Sequence, residues 1–487
     1  MEIIKSIRGS DKLLKDGFSY TRKKSRISSI HWECSKRRSA SCKGTVTTDL
    51  AVSMVTSSTP HSHMADQFAI EAMKVREEIK TNVIHNRGQP GQLVTDKLSQ
   101  YPVGVRVAAG KPDTIKRSVR RIKRGIAPPE PASLKEIPEL PEDYVSTGGA
   151  DDLPFLLYDN YKADQSNENR IMLFGTEMGL NHMCDSDKWY MDGTFGTAPK
   201  QFKQLFVIRA AVSDVYATCV YAFLPNKLQS TYEEMLAAVM DACERYGLTP
   251  NPLSVSCDFE ISIHKAIHIM LGPQINIQGC FYHLTQSTWR KLQNEGLSVL
   301  YKNDDAVKHF CGMIDGLAFL PTDCVQEGMQ YLHTVVPEEL DEVLEYFDSN
   351  YVSGPYQSTR GPRGIIKVSR TNNPRYPIDT WNVYEMTMSD GSRTNNVCEL
   401  WNNGFAHLVG HKNPSLWYCI KCIKKDQINV LTELERLRQG DQIKKRVRRE
   451  NKEHQQKLKN LCKQFSQGKK SVSEFLQAIG HLIRFKY

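Results

Sequence analysis

Two carboxylates stand where the chain otherwise reads as apolar strand. Asp192 lies in Trp189-Tyr190-Met191-Asp192-Gly193-Thr194-Phe195, and Asp258 in Leu253-Ser254-Val255-Ser256-Cys257-Asp258-Phe259-Glu260. Such apolar and aromatic runs are the pattern of buried strands. An unpaired buried carboxylate is costly, so each acid needs a partner, a metal ion or an exposed strand edge. Two strand-borne acids fit a hard divalent cation, magnesium or manganese, which binds through a few carboxylates and keeps water or phosphate as its remaining ligands. Glu260 rivals Asp258, since either acid just before Ile261 also suits a helix cap.

A second set of ligand types is N-terminal. Cys34, Cys42, His61 and His63 supply two thiols and two imidazoles, enough to close a tetrahedral zinc site. Seven residues separate the cysteines and one separates the histidines, which is not the common finger spacing. The one-residue gap puts both imidazoles on one side of an extended chain, so they can converge on one ion. Few aliphatic residues surround them, and so short a segment needs a staple to fold. On Phe18, Tyr20, Trp32, Cys34, Cys42, His61 and His63 the segment resembles the FLYWCH zinc finger, which implies a small β-rich module over residues 5–65 with structural zinc.

The remaining elements must position these groups. A chain of 487 residues makes two to four units. Its net charge of +9 is modest, but Lys and Arg cluster, which points to a polyanionic partner. No stretch approaches a membrane span and no secretory leader opens the chain, so an intracellular protein with reduced thiols is expected. Residues 66–124 read as three short helices: Phe68, Ala72, Val75 and Ile79 recur at helical spacing behind a cap at Asp66, a second begins at Val94 and Leu98, and a third opens at Pro112. The third carries Lys116, Arg117, Arg120, Arg121 and Arg124 around an Ile115, Val119, Ile122 stripe, suited to a helix-turn-helix-like contact with DNA or to a nuclear-import patch. A Pro-rich linker follows at 125–152.

From 153 to 435 strands and helices alternate. Strands are expected near 187–194, 203–212, 216–224, 253–258 and 275–280, with helices near 231–246, 261–271 and 284–295. Three antiparallel strands and then helix-separated ones is the order of a ribonuclease H-like α/β core, in which the first and fourth strands are neighbours; Asp192 and Asp258 would then meet. Asp192-Gly193-Thr194-Phe195, Cys257-Asp258-Phe259-Glu260, the C-x-x-H of Cys280 and His283, and Thr394-Asn395-Asn396-Val397-Cys398-Glu399-Leu400-Trp401-Asn402 resemble the landmarks of a Mutator-like element (MULE) transposase domain. The resemblance implies Glu399 as a third acid on a helix, with Asp192 shared by two cations and Asp258 and Glu399 each holding one. Cys280 and His283 are read as supporting residues, because two ligands close no zinc site. Cys419 and Cys422 sit in an apolar helix and read as core. A helical insertion is expected over about 300–390, including a polar loop at 354–371 whose Arg360, Arg363, Lys367 and Arg370 are either phosphate contacts or solvated charges. A basic helical tail, 436–487, has its densest charge at Lys444 to Arg449.

The whole reads as an α+β multidomain protein: zinc finger, helical DNA-binding-like segment, catalytic core with helical insertion, helical C-terminus. Two functions fit. One is a DDE-type transposase that cuts and joins double-stranded DNA at element ends, as a homodimer in the nucleus. The other is a domesticated, catalytically silent DNA-binding regulator of transcription.

Overall fold

The β-rich N-terminus pairs as an antiparallel meander: β1 (Glu2–Lys5), β2 (Asp11–Lys15), β3 (Phe18–Ser25), β4 (Ser29–Cys34), β5 (Thr45–Asp49) and β6 (Val55–Thr59), neighbours in chain order. In β4 the alternation buries Ile30, Trp32 and Cys34 on one face. Ile30 and Trp32 meet Leu13, Tyr20 and Val46 in a small core, and Trp32 Nε1 donates to Thr48 Oγ1 at 3.0 Å. The computed structural model describes all residues except 6–9, 86–89, 163–167, 213–214, 361–365, 392, 394, 442–448 and 485–487, and except the side chains of 83–85, 123, 124, 126, 162, 359, 360 and 367. Two units result, Met1–Pro129 and Glu130–Tyr487.

Behind the meander, the first unit has four helices among the described residues: α1 (Gln67–His85), α2 (Pro90–Ser99), α3 (Val103–Ala108) and α4 (Pro112–Ile126). Asp66 caps α1 as expected, its Oδ1 accepting the Ala69 N–H at 2.9 Å. The helix the sequence reading missed is α3; its six residues bury only Val105, too few for a visible period. Ala72, Val75, Ile79, Val94, Leu98, Val105, Ala109, Ile115 and Val119 close a shared core, and Arg76 Nε ties α1 to the Ala109 carbonyl at 2.7 Å.

In the second unit, residues 130–155 lie against the core. Ile137 and Leu140 are buried, and Tyr144 of α5 (Glu142–Val145) packs edge-on to Trp417. Buried Arg170 donates to the Pro138 carbonyl at 3.0 Å and pairs with Asp159 at 2.7 Å. Part of the stretch read as linker is thus held by backbone and aromatic contacts.

The sheet contains β7 (Leu156–Asp159), β8 (Met172–Phe174), β9 (Lys188–Thr194), β10 (Gln204–Val212), β11 (Val215–Leu224), β12 (Ser254–Cys257) and β13 (Asn276–Gly279), in the order β13-β12-β9-β10-β11-β8-β7. The pairs β9/β10 and β10/β11 are antiparallel, while β9/β12 and β12/β13 are parallel. No helix separates the strands of the first set, whereas α7 (Gln229–Arg245) and α8 (Ile261–Met270) make the crossovers of the second. With α6 (Glu177–Cys184) they close the main core around Trp189, Met191, Ile208, Met235 and Ile267.

A second core is helical. It unites α9 (Phe281–Asn294), α10 (Ser298–Asn303), α11 (Asp305–Gly316), α12 (Val325–Val335), α13 (Asp341–Phe347), α14 (Ile378–Trp381) and α15 (Tyr384–Met388). After α16 (Asn396–Val409) and α17 (Leu416–Arg438), whose Val430 and Leu434 join the sheet core, the chain returns to this helical core. There α18 (Arg449–Ser466) and α19 (Val472–Arg484) contribute Leu458, Cys462, Phe475 and Ile479. Arg484 pairs with fully buried Asp315 of α11. The segment expected as a polar loop instead forms a hairpin, β14 (Tyr356–Arg360) and β15 (Ile366–Arg370). Its alternation escaped notice because Tyr356, Ile366 and Val368 are exposed and build no core.

Candidate metal centres

The N-terminal ligands converge. Cys34 ends β4, Cys42 lies in the β4–β5 loop, and His61 and His63 follow β6. One ligand atom from each lies within 4.8 Å of the others, with Cys42 Sγ 3.3 Å from His61 Nδ1 and Cys34 Sγ 3.2 Å from His63 Nε2. The far nitrogens are engaged too: His61 Nε2 meets the Tyr20 hydroxyl at 2.8 Å, and His63 Nδ1 meets the Met64 carbonyl at 2.9 Å. Phe18 stacks on the His61 ring with 3.8 Å between centroids. Partners of this kind fix ring orientation in metal sites. Backbone N–H groups of Lys36 and Gly44 point at the two sulfurs, each at 3.4 Å. Burial raises the Cys42 thiol, but the Ser62 and Gly44 N–H groups, the Ser62 hydroxyl and His61 outweigh it and hold it at about 6. Only glycine fits at 44, since a Cβ would stand 2.6 Å from the His61 ring. Two thiols and two oriented imidazoles fit structural zinc.

In the second unit the parallel register sets the acids side by side. Ser254 pairs with Lys188 and Ser256 with Tyr190, and Asp258, one residue past the end of β12, reaches the same cavity as Asp192. Both line one cavity with Glu260, Lys227, Gln204 and Tyr232. Asp192 is only 8% exposed. The Gly193 N–H reaches its Oδ1 at 2.8 Å and Asn402 Nδ2 its Oδ2 at 2.7 Å. Burial, reinforced by the charge of Asp258, lifts the Asp192 carboxyl to about 7 against the pull of Gly193, His283 and Asn402. Asp258 meets His283 Nδ1 at 2.5 Å. Burial disfavours charge on that imidazole, yet Asp258 and Cys280 raise it to about 11. The rival acid Glu260 is engaged differently, by Lys227 Nζ at 2.5 Å.

Glu399 lies in the first turn of α16, and its Oε1 is buried without a hydrogen-bond partner. Burial raises its carboxyl, with His283 opposing. Its neighbours among ligand types are Cys280 and His283, all three offering atoms within 4.8 Å of one another. Among the described residues, Asp192, Asp258 and Glu399 do not form such a group. The start of α16 is pinned to the sheet: Asn395 Nδ2 donates to the Met191 carbonyl at 3.0 Å, its N–H points at Cys280 Sγ at 3.2 Å, and Arg209 holds the Val397 carbonyl.

Asn402, Asn395 and Lys227 were not singled out from sequence as parts of this site. The signal for Asn402 was its spacing, three residues beyond Glu399 and so on the same helix face. Elsewhere, Arg117, Arg120 and Arg121 of α4 are exposed, Lys116 pairs with Asp113 at 3.4 Å, and the Arg124 side chain lies outside the described residues. Cys419 and Cys422 are fully buried. Arg370 is engaged by Glu345 and Asp348, at 2.7 and 2.6 Å; the side chains of Arg360 and Lys367, Arg363, and most of the run from Lys444 lie outside the described residues. No helix among the described residues is long and apolar enough to cross a membrane.

A meander closed by two cysteines and two histidines, followed by a mixed sheet with paired acids, defines an α+β protein with a zinc-finger-like module at its N-terminus. Comparison with protein families makes this specific: residues 3–63 match the FLYWCH zinc finger domain and residues 188–287 the MULE transposase domain. Both resemblances hold over those residues, and together they suggest a transposase-related DNA-binding protein. No curated protein matches it.

Proposed function

We propose that the second unit is a DDE-type transposase core, which cuts and joins double-stranded DNA with Asp192, Asp258 and Glu399 as its acids. The observation that carries this is the parallel β9/β12 register, which brings Asp192 and Asp258 together at one end of the sheet. The strand order, with the antiparallel run β9-β10-β11 flanked on the β9 side by two parallel strands and extended on the other by β8 and β7, supports a ribonuclease H-like reading. The paired oxygens fit magnesium or manganese, which when bound would polarise a phosphate and activate the attacking hydroxyl. Asp192 would be the shared ligand, held in orientation by Gly193 and Asn402. Asp258 would hold the second position, with His283 steadying its carboxylate. The finger and the exposed arginines of α4 would bind the duplex, in the nucleus and as a homodimer pairing two ends.

The test is cleavage and strand transfer on DNA carrying the flanking terminal repeats, with manganese and magnesium. Metal-dependent products that vanish with Asp192→Asn or Asp258→Asn are expected. Tight binding of the repeats without any cleavage would overturn the enzyme reading. That outcome would favour a catalytically silent DNA-binding regulator, which one observation already supports: Glu399 keeps company with Cys280 and His283.

A further inference from the structure

We infer that Cys280, His283 and Glu399 form a second transition-metal site, for zinc, separate in chemistry from the acid pair. The C-x-x-H puts Cys280 at the N-cap of α9 and His283 in its first turn, so both side chains share one end of one helix. Two ligands leave such a site open. The third arrives from far along the chain: α16 is pinned by Asn395 to β9 and to Cys280 itself, and this delivers Glu399 to within 4.8 Å of both.

Two further features point to a ligand. Glu399 Oε1 is buried with no hydrogen-bond partner, a costly arrangement that an ion would relieve. Cys280 is fully buried, and its sulfur already faces a backbone donor, the Asn395 N–H at 3.2 Å. A thiolate, an imidazole and a carboxylate are a borderline-soft donor set that zinc accepts and magnesium does not. Three protein donors leave one tetrahedral position for water, the form of a reactive rather than a closed structural zinc site. The inference does not need DNA to be cut. It does bear on Glu399, which the transposase reading counts as the third acid: with zinc bound there, Asp192 and Asp258 alone would hold the hard cation.

The test is metal content and affinity of the full chain, purified with limiting zinc. A second zinc per chain beyond the finger's is expected, and it should persist in Cys34→Ser, which disables the finger. Glu399→Gln keeps shape and should weaken the second ion on the order of a hundredfold against a chelator. Cys280→Ser should abolish the thiolate-to-cobalt charge-transfer band that remains in a cobalt-loaded Cys34→Ser, Cys42→Ser background. The thermal midpoint of Glu399→Gln separates loss of metal from loss of fold. A wild-type chain holding only the finger's ion, or a second ion indifferent to both Glu399→Gln and Cys280→Ser, would overturn the inference. Failure of DNA cleavage with the second zinc retained would count against the transposase reading alone.

Discussion

The two ligand clusters are built in opposite ways. In the finger all four ligands come from consecutive hairpins, each imidazole has an outer partner, and backbone N–H groups already face the sulfurs. In the second unit, β9, β12, α9 and α16 each bring one part from distant sequence, and buried oxygens of Asn402 and Glu399 are left without partners. A local cluster can serve folding, because the ion organises a segment that has little core of its own. A cluster assembled on a finished sheet gains nothing for folding from crowded acids. Its strain is the mark of a site kept for binding.

Removing zinc should therefore break the first region and spare the second. Chelation, or Cys34→Ser with His63→Ala, should unfold the meander, since structural zinc contributes on the order of 10 kcal/mol in small modules. Limited proteolysis of the full chain should then cut within 1–65 while the fragment from Glu130 stays protected; uniform protection would contradict the contrast.

The acid site should behave in the reverse sense. Asp192 has its carboxyl raised to about 7 from an ordinary 3.8, chiefly by burial, so the fold binds a proton that the unfolded chain releases. Stability of the cation-free protein should fall as pH rises from about 4 through about 7. Asp192→Asn should remove that fall and raise stability above neutrality by on the order of a few kcal/mol, with little effect at acid pH. Denaturant midpoints across pH measure it, and parallel curves for the two proteins would refute the burial argument.

Smaller effects sharpen the contrast. Tyr20→Phe removes the hydroxyl from His61 Nε2, and zinc affinity should drop roughly 10- to 100-fold without change in stoichiometry. Competition with a chelator reads this directly. Asn402→Ala should cost about 1 kcal/mol and push the Asp192 midpoint higher still, since a donor to the charged carboxylate is lost. A midpoint that falls instead would mean the contact is not made in solution.

How much was legible follows from the same difference. The finger ligands could be read because their types and spacing already imply convergence. The strands of the sheet could be read too, since Trp189 to Phe195 and Gln204 to Leu224 are dense in β-formers that stay apolar on both faces. Contacts carried by single polar side chains over long separations were not legible. Nothing local to Asn395 says that its amide meets Met191, or that Glu399 joins Cys280 and His283. Nor does the amphipathic stripe of α19 reveal that its partner is α11. The stretch beyond Glu130 was opaque for a related reason: proline density signals broken pairing, but the packing of Tyr144 on Trp417 depends on a helix far downstream.

The most direct test of the account is titration of the full chain with manganese at pH 8, followed by electron paramagnetic resonance. Saturable binding that is lost in both Asp192→Asn and Asp258→Asn and retained in Cys280→Ser is expected. No saturable binding, or binding lost only when Cys280 is changed, would contradict it.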